Sequence, residues 1–278
     1  MLHRQIFEWC PACQEEACKQ GIMPPIYKHE QYKRQSLWDN ATDEFQIEEF
    51  VCPKGHITIG IHQNMQYEFL LDMGIDDLAR NNYRGAFLNF VAAEERFFEF
   101  FIETICAKRQ VPYATFNDTW KQLKNLSERQ YGAFCFLYLL EFNAAPYDTE
   151  KEKVENEITH KKHTLKQLRN KVVHQGYKPT ENETKFYGDF IIHRISDMVE
   201  HLKKSPEAIN FVVTARLNQK INEVQERYKD KTINISTCCG GSICSALFRK
   251  EPGYKPIDIL LKAAKKHSND YKRHYGIS

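Results

Sequence analysis

Residues 83–107, YRGAFLNFVAAEERFFEFFIETICA, are the stretch on which the fold class depends. They are rich in phenylalanine, and their apolar residues follow a helical period rather than an alternating one. We therefore predict a long helix from Tyr83 to Ala107 within a mainly α protein. Its phenylalanines are expected to form a core or a dimer interface rather than a cofactor site; they are Phe87, Phe90, Phe97, Phe98 and Phe101.

The same helix carries a row of acidic residues. A metal-binding role is one interpretation, but pairing with Arg96 on the same helix or with Arg169 further along the chain is favoured. Glutamates at helical spacing are ordinarily solvated or paired with basic side chains. The acidic residues are Glu94, Glu95, Glu99 and Glu103.

Shorter helical stretches are predicted on both sides of this segment. One helix precedes Asn81–Asn82, and residues 118–126 and 129–142 form two more before Pro146. Residues 150–174 are predicted to be one highly charged helix because their apolar residues recur on a single face. Those residues are Val154, Ile158, Leu165, Leu168 and Val172.

Helix start and stop signals follow this charged segment. Gly176 is a suitable residue for ending a helix, because glycine adopts the left-handed conformation that a C-terminal cap requires. Thr180 and Glu183 have the spacing of a capping box, which predicts a further helix running to about Lys204.

The N-terminal segment, residues 1–64, has a different character. Residues 44–51 and 57–62 alternate as short strands do, and they enclose the sequence CPKGH of residues 52–56. An earlier CPAC occupies residues 10–13. Two such pairs supply four thiolate or imidazole groups from tight turns, as a tetrahedral zinc site requires.

This pattern predicts a zinc ribbon with one structural zinc per chain. The ligands are Cys10, Cys13, Cys52 and His56. The intervening loop is long, so Cys18 or His62 could replace one of these ligands. A site with four protein ligands has no open position, which indicates a role in stability or docking rather than catalysis.

The chain beyond residue 205 is predicted to be a C-terminal extension, residues 206–278, of α+β character. Residues 208–228 and 256–266 are expected to be helical, and residues 232–237 to form a strand. Cys238, Cys239 and Cys244 lie in a glycine-containing stretch that is interpreted as a tight turn, with a metal or redox role as the less favoured alternative.

Composition excludes several functional classes. The net charge of +2 provides no general basic field, so nucleic-acid binding would require a local patch. The longest apolar run, residues 133–140, is much shorter than the ~20 residues of a membrane-spanning helix. The nine cysteines are odd in number and include a metal-type pair, and no signal-peptide core is present. A cytoplasmic protein without a membrane partner is expected.

Residues 168–177, LRNKVVHQGY, contain Arg169, a polar Asn170 directly after it, and His174 at the end of a predicted helix. This segment resembles the Arg-x4-6-His motif of the HEPN family of ribonucleases. The resemblance covers roughly residues 65–205, including the long helix, and HEPN-like proteins with a zinc module resemble the N-terminal part. Arg194 and His201 satisfy the looser spacing too, and that match is interpreted as accidental.

The resemblance implies a HEPN-like helical bundle over residues 65–205 and metal-independent endoribonuclease activity in a homodimer. Arg169, Asn170 and His174 would be catalytic: histidine moves protons at the ribose and the leaving oxygen, and arginine stabilises the phosphate charge. The family also implies RNA as the substrate, a regulatory protein partner, and a role as a toxin or antiviral defence effector.

The residues by themselves leave alternatives open. Five residues at ~100° each separate Arg169 and His174 by about 140° on one helix. Either the helix loosens near Gly176 or a second protomer completes the site. Arg169 could instead lock two helices through Glu94 or Glu95, and His174 could cap its own helix. The second functional hypothesis is therefore a non-catalytic zinc-ribbon and HEPN module that binds RNA or protein.

Overall fold

We describe a computed structural model of the chain, covering residues 10–26, 31, 33–37, 47–147, 149–238 and 254–275. These residues form two compact units. The helical unit contains Gln66–Val212 and residues 254–275, and the sheet unit contains the described residues up to Met65 together with residues 213–238. The described residues of the predicted extension, 206–238 and 254–275, are thus divided between the two units.

Helices dominate the described residues, which confirms the prediction of a mainly α protein with a small N-terminal sheet. None of the described helices is both long and apolar enough to cross a lipid bilayer. In chain order the elements are α1 (Pro11–Gln20), β1 (Lys33–Leu37), β2 (Ile47–Val51), β3 (Ile57–His62), α2 (Gln66–Ala79), α3 (Tyr83–Lys108), α4 (Tyr113–Leu123), α5 (Ser127–Phe142), β4 (Lys153–Glu155), β5 (Lys162–Thr164), α6 (Leu165–His174), α7 (Glu181–Leu202), α8 (Pro206–Arg227), β6 (Ile233–Cys238) and α9 (Ile257–Tyr275).

The core of the helical unit is built around α3, as its phenylalanine content predicted. Helices α2, α5 and α7 pack against it. The Phe87 ring stacks on Tyr187 of α7 with centroids 4.1 Å apart, and the Phe98 ring lies 4.3 Å from that of Phe134 of α5. Five phenylalanines predicted to lie in a core or a dimer interface are buried: Phe87, Phe90, Phe97, Phe98 and Phe101.

Two acidic residues of α3 make the pairings predicted with Arg96 and Arg169. Arg96 donates a hydrogen bond to Glu99 at 2.8 Å, and Arg169 of α6 donates to Glu95 at 2.7 Å. Glu103 is deeply buried, and burial raises the pKa of its carboxyl to about 8. Of the glutamates named here, Glu95 links α3 to α6.

The prediction of one helix over residues 150–174 is wrong in its first half. Strands β4 and β5 form an antiparallel hairpin there, and only Leu165–His174 is helical. The Asn156 side chain accepts hydrogen bonds from the backbone N–H groups of Ile158 at 3.0 Å and Thr159 at 2.8 Å. These bonds fold the chain into a turn, and His160 takes a left-handed φ of 55°.

A capping box fixes the true start of α6. The Thr164 hydroxyl accepts from the Gln167 backbone, and the Gln167 side chain accepts from the Thr164 backbone. Ile158 was predicted to lie on the apolar face of a helix over residues 150–174. It is instead 76% exposed, in the turn between β4 and β5. Local side-chain hydrogen bonds thus overrode the apolar periodicity.

Two other boundary signals are confirmed. Gly176 has a φ of 70°, and α6 ends before it at His174. Thr180 and Glu183 make both hydrogen bonds of a capping box at the start of α7. Helix α4 begins at Tyr113, directly after Pro112, which is earlier than predicted.

The sheet unit combines segments that are distant in sequence. Strand β2 pairs antiparallel with β1 and β3, and β6 pairs parallel with β3. The predicted strands flanking residues 52–56 are confirmed as β2 and β3. Helix α1, which follows Cys10, was not predicted.

Candidate functional site

The four predicted zinc ligands come together in the sheet unit. One ligand atom from each of Cys10, Cys13, Cys52 and His56 lies within 4.8 Å of the others. His56 Nδ1 is 3.3 Å from Cys13 Sγ and 3.8 Å from Cys10 Sγ, and the Cys13 and Cys52 sulfurs are 3.9 Å apart. Zn–S bonds of about 2.3 Å place two sulfurs of a tetrahedral site about 3.8 Å apart. The cluster could therefore hold a metal ion.

The first pair of ligands lies at a helix N-terminus instead of the turn that the sequence predicted. Cys10 is the N-cap of α1, Pro11 opens its first turn, and Cys13 follows within that turn. Proline is favoured there because the first helical N–H has no partner within the helix. Both cysteines therefore lie at the positive end of the α1 dipole.

The second pair lies in the hairpin between β2 and β3. Gly55 takes a φ of 85° and donates its N–H to the Cys52 carbonyl at 2.8 Å, while Cys52 N–H donates to the His56 carbonyl at 3.1 Å. The tight turn between β2 and β3 requires one residue in the left-handed conformation, and glycine adopts that conformation without strain. The knuckle predicted from residues 52–56 is therefore present.

The two alternative ligands do not belong to the cluster. Cys18 is exposed on α1. His62 is buried with its Nε2 4.0 Å from the Glu48 carboxylate. The described residues that surround the site thus favour the predicted four.

A fifth residue orients the histidine ligand. While Nδ1 of His56 faces the sulfurs, its Nε2 lies 3.1 Å from the Glu16 carboxylate, which also accepts from Lys54 at 3.2 Å. A carboxylate on the outer imidazole nitrogen fixes the tautomer and makes the inner nitrogen a better ligand. Sequence reasoning missed Glu16, although its position one helical turn after Cys13 is a usable signal.

Replacing Glu16 with glutamine is expected to weaken metal binding about 10–100-fold, the usual effect of removing such an outer partner. Competition with a chromophoric chelator measures the affinity. Glu15→Gln is the matched control, because Glu15 lies on the same helix but bonds Lys19. Equal affinities of the two variants would show that Glu16 does not support the ligand.

The Arg-His motif lies on α6 of the helical unit. Asn170 and His174 are exposed, and Arg169 is half-buried with 28% of its side chain accessible. Its guanidinium donates to Glu95 of α3. Of the two partners proposed from the sequence, the structure therefore selects Glu95.

The backbone at the end of α6 determines how the motif is presented. The helix is regular through His174 and closes after it, where the N–H of Tyr177 donates to the Lys171 carbonyl at 3.1 Å. Arg169 and His174 hence point to different sides, whereas Asn170 and His174 share one face. His174 lies in the last turn of α6.

Arg84 is a second basic residue beside this helix end, and no local pattern of residues pointed to it. It is the second residue of α3 and is exposed, and its Nη2 donates to the Val172 carbonyl at 3.4 Å. Val172 is two residues before His174. Arg84 therefore adds a cation next to the motif.

The other Arg-His match has its arginine in the core and its histidine half-buried. Arg194 is 2% exposed and donates to Glu94 at 2.6 Å, and His201 lies 2.8 Å from Glu141. Its interpretation as accidental is consistent with this burial. The cysteines predicted to form a turn, Cys239 and Cys244, lie outside the described residues, as does the side chain of Cys238.

Comparisons with known proteins identified no relative of this chain. The chain matches no family model, and searches of curated proteins and of solved structures found no match. Functional argument therefore rests on the residues of the chain.

Proposed function

We propose that this chain is a metal-independent endoribonuclease with Arg169, Asn170 and His174 at its site. One observation carries the proposal: Asn170 and His174 are exposed at the end of a short capped helix, while the arginine of the competing Arg194–His201 match is buried. Arg84 beside the helix end supplies a further positive charge. A local basic surface of this kind is what RNA recognition requires in a chain of nearly neutral charge.

The chemistry follows from the two side chains. The ribose 2′-hydroxyl loses its proton and attacks the adjacent phosphorus, the bond to the 5′-oxygen breaks, and that oxygen takes up a proton. His174 transfers one of these protons, and Arg169 stabilises the charge on the phosphate. The products are a 2′,3′-cyclic phosphate and a 5′-hydroxyl. Arg169 exchanges Glu95 for the phosphate when RNA binds.

Two copies are needed for this site. A helix that loosens near Gly176 would let one protomer form the site, but α6 stays helical through His174. We therefore place the histidine of one protomer beside the arginine of its partner. A homodimer with a composite site is therefore part of the proposal.

The metal of the sheet unit is proposed to be one structural zinc. Three thiolates and one imidazole suit zinc, and four protein ligands leave no position for substrate. Zinc then stabilises the sheet unit and takes no part in cleavage. Reduced thiolate ligands also agree with the cytoplasmic compartment expected from the sequence.

Cleavage of tRNA and total RNA in EDTA tests the proposal. His174→Ala is expected to lower the rate about 10²–10⁴-fold, as loss of a general acid or base does. His193→Ala, which removes an exposed histidine of α7, should retain activity. Cyclic-phosphate termini identify the mechanism. The proposal fails if folded wild-type protein does not cleave, or if both variants cleave equally.

A non-catalytic RNA- or protein-binding module is the second candidate. The Arg169–Glu95 ion pair favours it, because an arginine already held at 2.7 Å serves as a link between α3 and α6. In that case RNA binding would persist in His174→Ala and no cleavage would be seen with either protein.

A further inference from the structure

Helix α9 has a buried apolar side and an exposed basic side. Ile257 and Leu260 are buried against α2 and α7, whereas Lys262, Lys265 and Lys266 are exposed. At ~100° per residue, the three lysines lie within about 100° of one another around the helix. These three lysines form the basic face of α9. Neither Lys262 nor Lys266 makes an ion pair with any residue that the structure describes.

Two exposed lysines on other helices show the more ordinary arrangement. Lys19 lies 2.7 Å from Glu15 on α1, and Lys121 lies 2.9 Å from Asp118 on α4. A carboxylate one helical turn away offsets the charge of each lysine. The basic face of α9 keeps its charge, and it does so in a chain whose net charge is only +2.

Lys185 joins α9 to the first turn of α7. Its ammonium lies 3.6 Å from the Asp258 carboxylate of α9 and 2.8 Å from that of Glu181. Asp258 lies four residues before Lys262 in sequence, but its partner is Lys185. The hydrogen bond from Lys185 and the nearby charge of Lys265 lower the pKa of the Glu181 carboxyl. The basic face of α9 therefore adjoins the first turn of α7.

The first turn of α7 is in turn connected to the end of α6 through α3. The Tyr83 hydroxyl donates a hydrogen bond to Glu181 at 3.2 Å. Arg84, the next residue, donates to the carbonyl of Val172, two residues before His174. A connected series of contacts therefore leads from the proposed site, past Arg84, to the basic face of α9.

We propose that the RNA substrate extends from the end of α6 past Arg84 onto the basic face of α9, where Lys262 and Lys265 contact phosphates away from the scissile bond. The inference rests on the proposed function, because it gives the substrate of that site a second contact surface. Lysine neutralises phosphates without reading bases. The surface therefore favours long RNA of any sequence over fragments too short to reach α9.

Fluorescence anisotropy tests the surface with a long labelled RNA and the full chain carrying His174→Ala, which prevents cleavage. Lys262→Gln combined with Lys265→Gln should weaken binding about tenfold at about 0.1 M salt. This α9 double variant should also lower the slope of log Kd against log salt by about 1.4, since each phosphate contact contributes about 0.7 for a single strand. The control is Lys121→Gln combined with Lys124→Gln, which removes the same charge from exposed residues at the end of α4 and should bind like the parent.

Glu181→Gln provides a test of opposite sign. The Glu181 carboxylate lies between Tyr83 and Lys185, and about half of its side chain is exposed, so it opposes a phosphate that passes from α3 to α9. The neutral variant should bind the long RNA about threefold more tightly, and the gain should shrink as salt screens the charge. Weaker binding by this variant would indicate that RNA does not follow this path.

The outcomes separate the surface from the chemistry. An unchanged affinity of the α9 double variant, an equal loss in the α4 double variant, or equal binding of short and long RNA overturns the surface. Loss of binding to anionic phospholipid vesicles with RNA binding intact also overturns it. A wild-type chain that binds RNA through the α9 lysines but does not cleave it supports the surface and contradicts the nuclease. Cleavage with an unchanged KM in the α9 double variant contradicts the surface alone.

Discussion

Cys52→Ser is expected to release the metal and unfold the sheet unit. Cys10, Cys13 and Cys52 form a buried cluster against which Ala12 packs, and a metal bound by them would hold this part of the unit together. Binding of a structural zinc contributes about 10–16 kcal/mol in small zinc modules, far more than a small sheet supplies by itself. Elemental analysis should show one zinc in the wild type and none in the variant.

Cys18→Ser is the matched control, because Cys18 is exposed on the same helix as Cys13. It should retain one zinc and the wild-type thermal transition. Chelation of the wild-type protein should reproduce the Cys52→Ser spectrum. A metal-free Cys52→Ser protein whose sheet resonances remain dispersed would contradict a structural role for the metal.

Arg194→Ala is expected to destabilise the helical unit by about 3–5 kcal/mol, the usual effect of removing one partner of a buried ion pair. Arg194 lies against the Phe98 and Phe134 rings, with its guanidinium carbon 5.4 and 5.2 Å from their centroids. Its removal leaves the buried carboxyl of Glu94 without its cation and opens a gap beside the two rings. The midpoint of urea unfolding measures the loss.

The effect should depend on pH. Burial raises the pKa of the Glu94 carboxyl above its ordinary value of 4.5, and Arg194 counters that rise. Without the arginine, the folded protein holds this proton to higher pH than the unfolded chain does. Stability is then lost as pH rises above about 4.5. Glu94→Gln in the Arg194→Ala background should remove this pH dependence.

Arg169→Ala is the comparison that separates the two Arg-His matches. Its ion pair with Glu95 is half-exposed, so the variant should lose less than about 1 kcal/mol of stability. Under the proposed function it should nevertheless abolish RNA cleavage. Equal destabilisation by Arg169→Ala and Arg194→Ala would contradict the different roles assigned to them.

The sequence by itself determined the mainly α class, the core helix α3, the capping box of α7 and the four residues of the metal cluster. These features depend on local patterns: apolar periodicity, side chains that bond their own backbone within three residues, and ligand pairs in short turns. A helix packed in the core buries the many apolar side chains of the Phe-rich segment 83–107. The same local reasoning failed for residues 150–164, where the bonds of Asn156 outweighed the apolar pattern.

Only the tertiary structure decided which distant groups meet. It placed β6 beside β3 across more than half the chain, selected Glu95 over Glu94 as the partner of Arg169, and put Glu16 on the outer nitrogen of His56. It also placed the basic face of α9 beside the first turn of α7 while burying Arg194. Packing between segments far apart in sequence fixes such contacts, because their free energy depends on shape and burial that no local spacing encodes.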